Sequence, residues 1–446
     1  MEKYYIKTFG CQMNIADSDF MADALAGLGM QPAQDLKEAD IIVVNTCSVR
    51  DHAEHRALSY VGRLKPLKKR NPKLKIVFAG CAAERLGKNM KSRFQMVDEV
   101  IGAKSIDQFP QILAKILGSK LINPSPVNPD YSSGLHNQYS GSRRLPSSDV
   151  SAFVTIMRGC ENFCSYCIVP YVRGKEISRP AGEIIEEITH LAGRGVKEVT
   201  LLGQNVNSYK DCLMLNVTCL KKKTTDFTGL LEMVNGIEGI ERIRFMTSHP
   251  KDSGSRLVSA MNKLDKVCEH LHLPLQSGSD KILKLMNRGY TAGDYLDIIK
   301  DFRSKMPEGG VTTDILIGFP GETEADFKKT LAMVKKIRFD FLFAFKYSPR
   351  PGTEADKLKD NVPRETKEKR HAEILETANK ISVEKNAKLI GTVWEVLVEE
   401  IRDGICSGMT RTNKKVYFPS DKKSAGETAL VRIISGKINS LSGTEV

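Results

Sequence analysis

Residues 151–174 read "SAFVTIMRGCENFCSYCIVPYVRG". An apolar, β-rich run is followed at once by three cysteines within eight residues, Cys160, Cys164 and Cys167, spaced C-x3-C-x2-C. A disulfide uses two cysteines and a structural zinc site uses four ligands. Three thiolates on one short loop can wrap a cube-shaped iron–sulfur cluster and leave its fourth iron without a protein ligand. An open iron can take a substrate or cofactor directly, as a catalytic zinc keeps one position free. Tyr166, between two of the cysteines, is placed to shield the cluster and to support a nucleobase. Zinc with a distant fourth ligand is the competing reading, and the strand-to-loop context disfavours it.

Outward from that loop, strand candidates recur between residues 150 and 379: "AFVTIM", "EVTLLG", "RIRFMT", "HLHLPL", "TTDILIG" and "FDFLFAF". Helical stretches such as 181–192 and 325–337 separate most of them. Six strand–helix units predict a βα barrel or partial barrel, whose chemistry sits at the carboxyl ends of the strands. Gln204 and Asn205, Ser248 and His249, Gln276 and Ser277, and the "GFPGE" turn from Gly318 lie just past such strands, where cofactor or base contacts are expected. Each can equally cap a helix or satisfy loop backbone. Arg173 and Arg350 are candidate holders of a carboxylate or phosphate, although ion pairing is the commoner fate of an arginine.

Upstream, "YYIKTFG", "DIIVVNT", "KIVFAG" and "VDEVIGA" each precede a helical pattern, near 17–28, 51–69, 82–93 and 106–117. This alternation predicts a small doubly wound α/β domain with a parallel sheet over residues 1–117. Cys11, Cys47 and Cys81 occupy equivalent places in "TFGCQMN", "VNTCSVR" and "FAGCAAER". All three are expected on the carboxyl edge of one sheet, where α/β folds bind ligands. A buried free cysteine is usually a small hydrophobe; three at matching strand ends favour a second three-thiolate cluster with one open iron. Cys212, Cys219, Cys268 and Cys406 show no such arrangement and read as structural.

Residues 118–149 are rich in Pro, Ser, Gly and Asn and read as a linker. Beyond 379, "VWEVLVEE", "ALVRIIS" and "KINSLSGTEV" alternate apolar and polar residues, so 380–446 suit a small all-β closed barrel, a shape that often binds single-stranded RNA. A solvated packing domain fits that pattern equally. The charge balance is 67 − 54 = +13, which favours a polyanionic partner without deciding it. The N-terminus lacks a signal-peptide pattern and no apolar run approaches the roughly 18 residues that span a bilayer, so the expectation is a cytoplasmic chain without membrane contact. In a reducing compartment the clustered cysteines read as metal ligands rather than disulfides.

"GCQMN", "NTCSVR", "AGC", "GCENFCSYCIVPYVRGKEISRP", "LLGQNVNSY", "TSHP", "LPLQSGSD", "IGFPGET" and "SPRPGT" together resemble the methylthiotransferases, a family of radical S-adenosylmethionine enzymes, through nearly the whole chain. "GQNVNSY" and "TSHP" point to the branch acting on isopentenylated adenosine in tRNA. The resemblance implies a radical 4Fe-4S cluster on Cys160, Cys164 and Cys167, and an auxiliary 4Fe-4S cluster on Cys11, Cys47 and Cys81. It implies S-adenosylmethionine in two uses: methylation of a sulfur on the auxiliary cluster, and a 5′-deoxyadenosyl radical that takes hydrogen from carbon 2 of the adenine. It makes the C-terminal barrel a TRAM domain and the substrate the adenosine 3′ of the anticodon. It calls for an electron donor such as flavodoxin or ferredoxin and for a sulfur source, and a monomer is expected.

Such chemistry needs a carbon radical within about 3–3.5 Å of the sulfur, so both clusters are expected to face one cavity. A loop base can be splayed out for a few kcal/mol. Two relatives share both cysteine sets: enzymes methylthiolating threonylcarbamoyl-adenosine in tRNA and those modifying a ribosomal-protein aspartate. A non-catalytic iron–sulfur RNA-binding sensor, or a thiol redox switch, are readings of another class. The segment "CLMLNVTCLKKK" departs from the family pattern in length and cysteine content.

Overall fold

The computed structural model describes residues 2–49, 51–87, 89–118, 150–212 and 224–446. Residues 119–149 of the expected linker, and Cys219 with the rest of 213–223, lie outside the described residues. The chain divides into two compact units. The first holds Met1–Ser147 together with Arg158–Glu161 and Ile168–Arg179; the second holds Ser148–Met157, Asn162–Cys167 and Pro180–Val446. Two short stretches expected in the central domain thus pack with the first unit.

The first unit is a five-stranded parallel sheet in the order β2-β1-β3-β4-β5. In chain order its elements are β1 (Lys3–Phe9), α1 (Gln12–Gly27), β2 (Gln31–Pro32), β3 (Ile41–Thr46), α2 (Asp51–Arg63), α3 (Lys65–Arg70), β4 (Lys75–Gly80), α4 (Cys81–Leu86), α5 (Asn89–Arg93), β5 (Glu99–Gly102) and α6 (Phe109–Leu117). The central strand β3, "IIVVNT", is buried at every position, which is why it reads as a continuous run rather than an alternation. Ile42, Val44, Ile76 and Phe78 pack on one face with Ala57 and Val61 of α2. Ile41, Val43, Val77 and Ala79 pack on the other with Met21, Leu25, Phe109 and Leu113.

All four expected helices differ in extent. The one expected over 17–28 begins earlier, at Gln12, directly after its cap Cys11. The one expected over 51–69 is split into α2 and α3, with Pro66 in the first turn of α3, where its missing N–H is harmless. The one expected over 82–93 is two short helices, the first ending at Gly87 with φ +53°. The one expected over 106–117 begins at Phe109, after a 3-10 segment Ala103–Gln108, and carries Pro110 in its first turn.

The second unit contains the six expected strands: Ser151–Thr155, Glu198–Leu202, Arg242–Met246, His270–His272, Gly310–Ile317 and Phe341–Lys346. The first three form one parallel sheet in the order third-second-first, and the last three form another in sequence order. Ile243 joins them, receiving a bond from Cys268 N at 2.9 Å and donating to Lys266 O at 2.7 Å. The fourth strand ends at His272, short of the expected "HLHLPL", since Pro274 has no N–H to give a ladder. Helices between the strands cover this partial barrel, and one apolar core runs through it.

A long helix, Arg364–Ala387, leads to a five-stranded closed barrel that starts at Val393. The boundary expected between 379 and 380 therefore falls inside a helix. The barrel core is Val396, Val398, Cys406, Val416, Phe418, Val431, Ile433 and Leu441, the inward half of each alternation. Arg242 fixes the barrel to the strands: its side chain is 2% exposed and donates to Glu395 at 2.8 Å and to Met409 O at 2.6 Å. Arg244 donates to Thr410 O and Arg411 O, and Arg411 returns to Glu269.

Candidate iron–sulfur and cofactor sites

In the first unit the register sets the site. Phe9 pairs with Thr46 and Thr46 with Gly80, so the residues after them leave the sheet at one edge. Cys11 caps α1, Cys47 follows β3, and Cys81 opens α4. Gly80 makes that last transition in one residue at φ +96°, where a Cβ would collide with Asn45 Oδ1 and Thr46 O. Asn14 and Asn45, both fully buried, tie the strand ends together: Asn14 Nδ2 donates to Asn45 Oδ1, and Asn45 Nδ2 donates to Asn14 O and Ser18 Oγ. Cys47 and Cys81 are buried and Cys11 half-buried.

A hydrogen bond from Cys47 is the main reason that the Cys11 thiol is held at about 6, against burial and with help from Arg173. The same bond, with burial, pushes Cys47 up. Burial raises Cys81 although Arg173 opposes it. Arg173 is buried beside them. Its Nε donates to Cys81 Sγ at 3.2 Å and its Nη2 to Asp17 at 2.8 Å, while its buried Nη1 has no partner among the described residues. Asp17 is fully buried and also accepts from Arg158 Nη1 at 2.6 Å. Burial alone would raise the Asp17 carboxyl; the two guanidiniums outweigh it and hold it low. Arg173 lowers the Cys11 and Cys81 thiols, while Asp17, and Asp107 at 3.9 Å from Arg158, offset the charge of the two guanidiniums. Arg173 thus has the carboxylate partner its sequence position allowed, inside the fold rather than on its surface.

In the second unit, Cys164 and Cys167 lie on the loop after the first strand, with Cys167 N donating to Cys164 O at 2.8 Å. Arg288, 5% exposed, donates to Cys164 Sγ at 3.2 Å and to the hydroxyls of Tyr166 and Tyr290. Tyr166 is half-buried against Phe319 in an edge contact at 6.5 Å, and desolvation of its hydroxyl raises it well above the usual value. Cys160 falls in the first unit, its N–H bonded to Gly174 O at 3.2 Å.

Backbone strain gathers at the carboxyl ends of the strands. Phe163, Thr247, Gln276 and Asn287 hold φ between +43° and +72°, and Gly318 holds +70°. For a β-branched residue such as Thr247 this conformation is costly, by about 1–3 kcal/mol. Beside them, Asn205 Oδ1, Ser248 Oγ and His249 Nε2 are buried without a partner among the described residues. His249 Nδ1 accepts from Lys251 N at 3.2 Å, and burial, with Arg288 and Lys251 nearby, lowers the imidazole to about 2. The ring is therefore neutral with its proton on Nε2, an unmet donor. Gln204 and Gln276 are half-buried at the same strand ends. Ser277 is committed to Thr330 Oγ1 and Ser279 N. Gly318 N donates to Glu322, a carboxyl that burial raises to about 7. Among the described residues, no three His, Cys, Asp or Glu side chains close on a single metal ion. The fit to a cluster and its cofactor rests on thiol placement, the paired arginines and these orphaned polar atoms.

Residues 3–102 match the model described as Uncharacterized protein family UPF0004, and residues 154–334 match the Radical SAM superfamily. A tRNA-2-methylthio-N(6)-dimethylallyladenosine synthase from Endomicrobium trichonymphae is 45% identical over 440 residues, 99% of each chain. Another, from Thermoanaerobacter sp. (strain X514), is 46% identical over 445 residues, covering 99% of this chain and 92% of the relative. The chain belongs to this family of radical SAM synthases. A solved radical S-adenosylmethionine methyltransferase, TsrM from Kitasatospora setae with cobalamin and a [4Fe-4S] cluster bound, shares the fold at a TM-score of 0.56 and 13% identity, over 91% of this chain and 81% of that one.

Membership in the radical SAM superfamily entails a 4Fe-4S cluster and S-adenosylmethionine. Five residues that matter here, Asn14, Asp17, Asn45, Arg158 and Arg288, were not among the sequence candidates. Asp17 had a signal: it stands four residues from Met13 and from Met21, both buried, so a carboxylate interrupts an apolar helix face. Arg288, in "MNRGY", had none.

Proposed function

We propose that the chain adds a methylthio group to carbon 2 of isopentenylated adenosine, 3′ of the anticodon in tRNA. The observation that carries this is the presence of two three-cysteine sets, each with a buried arginine on one thiol, in a chain that matches such synthases end to end. Cys160, Cys164 and Cys167 would hold the radical cluster, and Cys11, Cys47 and Cys81 a second, auxiliary 4Fe-4S cluster. With S-adenosylmethionine bound, these groups supply hydrogen-atom abstraction and sulfur methylation.

The protein's own part is charge, placement and exclusion of water. Arg173 and Arg288 each stabilise a thiolate by a charge-assisted hydrogen bond. Asn205 Oδ1 offers an acceptor, His249 Nε2 a donor and Ser248 Oγ either, so the three suit the ammonium, carboxylate and ribose groups of S-adenosylmethionine. Gln204, Gln276 and Gly318 line the same strand ends, while Ser277 supports the loop rather than a ligand. The closed barrel after Val393 would serve as the TRAM-type RNA module. An electron donor and a sulfur source complete the reaction. No described helix is long and apolar enough to cross a membrane.

The test is anaerobic incubation of reconstituted protein with S-adenosylmethionine, a reductant and isopentenylated tRNA, followed by mass analysis of nucleosides. A methylthio gain on the isopentenyl-adenosine establishes substrate and reaction. Deoxyadenosine without that gain rejects this substrate, and neither product from iron-loaded protein rejects the enzyme reading.

A further inference from the structure

Within the first unit, α2 turns one face outward that carries His52, His55, Arg56, Ser59 and Arg63, whose steps of 3, 1, 3 and 4 residues keep them on a single helical stripe. Of its two carboxylates, Asp51 opens the helix at its first residue, and Glu54 is buried and bonded to Ser48 and Arg85. Lys7 and Phe9 of β1 approach the stripe from the sheet, because β2 pairs only with Lys3 and Tyr4 and leaves the rest of that strand edge bare of a neighbouring strand. Lys7, Phe9, Tyr60 and the stripe line an open surface cavity of about 430 Å³.

Two properties set this cavity apart from an ordinary solvated face. Lys7, Arg56 and Arg63 have no carboxylate partner among the described residues, so the cavity gathers three cations that no described side chain pairs. Its aromatic rings are also arranged with those charges: Phe9 and Tyr60 lie 5.5 Å apart, Arg56 sits over Phe9 and Arg63 over Tyr60, each at 5.7 Å. Such cations beside aromatic and guanidinium planes are what a single-stranded nucleic acid needs, phosphates for the charges and base faces for the planes. From His52 to Arg63 the stripe runs about 16 Å, enough for several consecutive phosphates. Phe9 stands two residues before Cys11, so the cavity opens beside the strand end that carries the auxiliary thiols.

We infer that this α2 cavity is an RNA-binding subsite, taking the phosphodiester backbone of unpaired nucleotides on Lys7, Arg56 and Arg63 and a base against Tyr60 and the guanidinium planes, with the buried Phe9 supporting them. The inference rests on the proposed tRNA substrate and adds to it a contact in the first unit.

The experiment measures binding of the full, reconstituted protein to isopentenylated tRNA across a salt series, for the wild type, for Arg56→Gln/Arg63→Gln and for Arg56→Lys/Arg63→Lys. Each lost phosphate contact should lower the slope of log K against log salt by about 0.7–1. The glutamine pair is therefore expected to bind roughly tenfold more weakly at moderate salt with a shallower slope, and the lysine pair to recover most of both. Photo-crosslinking of 4-thiouridine-substituted RNA to peptides containing Phe9 or Tyr60 is the second readout. Unchanged affinity and slope in the glutamine pair, with no crosslink in the wild type, overturn the subsite while leaving the proposed function intact. Failure of the wild type to bind tRNA at all overturns the proposed function itself. If the glutamine pair binds tRNA normally but loses reduction by an acidic electron-transfer protein, the patch docks that protein and the RNA assignment is wrong.

Discussion

Arg173→Met removes the guanidinium that joins Asp17 to Cys81 while keeping a side chain of similar length. Asp17 is fully buried, and a buried carboxylate that loses its partner typically costs about 3–5 kcal/mol. Here Arg158 still holds the other oxygen at 2.6 Å, so the loss should fall below that range. One charge-assisted hydrogen bond, worth about 1.5–3 kcal/mol, sets the expectation at about 2 kcal/mol for the first unit. Adding Asp17→Asn removes the buried charge that made the first change costly. In a double-mutant cycle the pair should couple by about 1–3 kcal/mol, with the double variant more stable than the single losses added together. The assay is native-state hydrogen exchange of the amides in α1 and β3, which reports this unit without assuming that the whole chain unfolds in one step. Arg173→Met within about 0.5 kcal/mol of wild type, or strictly additive losses, would refute the reasoning. Acid should mimic the effect. Because Asp17 is held below the ordinary carboxylate value, its contribution is full above about pH 4 and fades as pH falls further.

Replacing Cys160, Cys164 and Cys167 together by Ala should abolish deoxyadenosine formation yet keep iron and visible absorbance from the auxiliary set. Replacing Cys11, Cys47 and Cys81 should do the reverse, with deoxyadenosine still released and no methylthio product; iron lost completely in either variant contradicts two separate clusters. Burial lowers His249 to about 2 and His270 to about 3, so both are neutral when folded and gain protons on unfolding below about pH 6.5. Each should remove about 1.4 kcal/mol of stability per pH unit in that range. Glu322, raised to about 7 by burial, acts oppositely between about pH 4.5 and 7, so the net slope is near that of one histidine and steepens in Glu322→Gln; urea titrations at pH 5, 6 and 7 read this, and a flat profile contradicts it. Arg242→Ala should loosen the closed barrel by about 1–3 kcal/mol, since Glu395 and Met409 O lose their shared donor. Trp394, the sole tryptophan, lines the cavity beside Glu395 and Arg411 and should report the change as altered fluorescence; an unchanged spectrum and protease pattern would count against that junction.

The sequence made the placement of Cys11, Cys47 and Cys81 at one sheet edge legible because each follows a recognisable strand. The parallel sheet was legible for a related reason: "IIVVNT" and "KIVFAG" hold continuous apolar runs, as strands covered on both faces do. What stayed hidden depends on distant parts of the chain meeting. Arg173 reaches Asp17 across 156 positions and Arg288 reaches Cys164 across 124, and no local pattern encodes either pairing. Helix ends were missed where one proline or glycine, at Pro66 or Gly87, divided an otherwise periodic run. Ser277 looked like its neighbours at the other strand ends, and only the contact with Thr330 shows that it belongs to the scaffold.

The Arg364–Ala387 helix touches two places at once. Near its start, Arg370 donates to Glu322 O and Lys367 to Tyr347 O; near its end, Ser382 and Asn386 donate to Ile438 O and Lys437 O of the closed barrel. A helix advances about 1.5 Å and turns about 100° per residue, so both sets of bonds hold only at one length and one phase. The helix is in effect a splint of fixed gauge between the "GFPGE" turn and the barrel. Lengthening it by a single alanine should swing the barrel by more than a quarter turn, whereas adding seven, close to two full turns, should restore the phase and leave only the distance wrong.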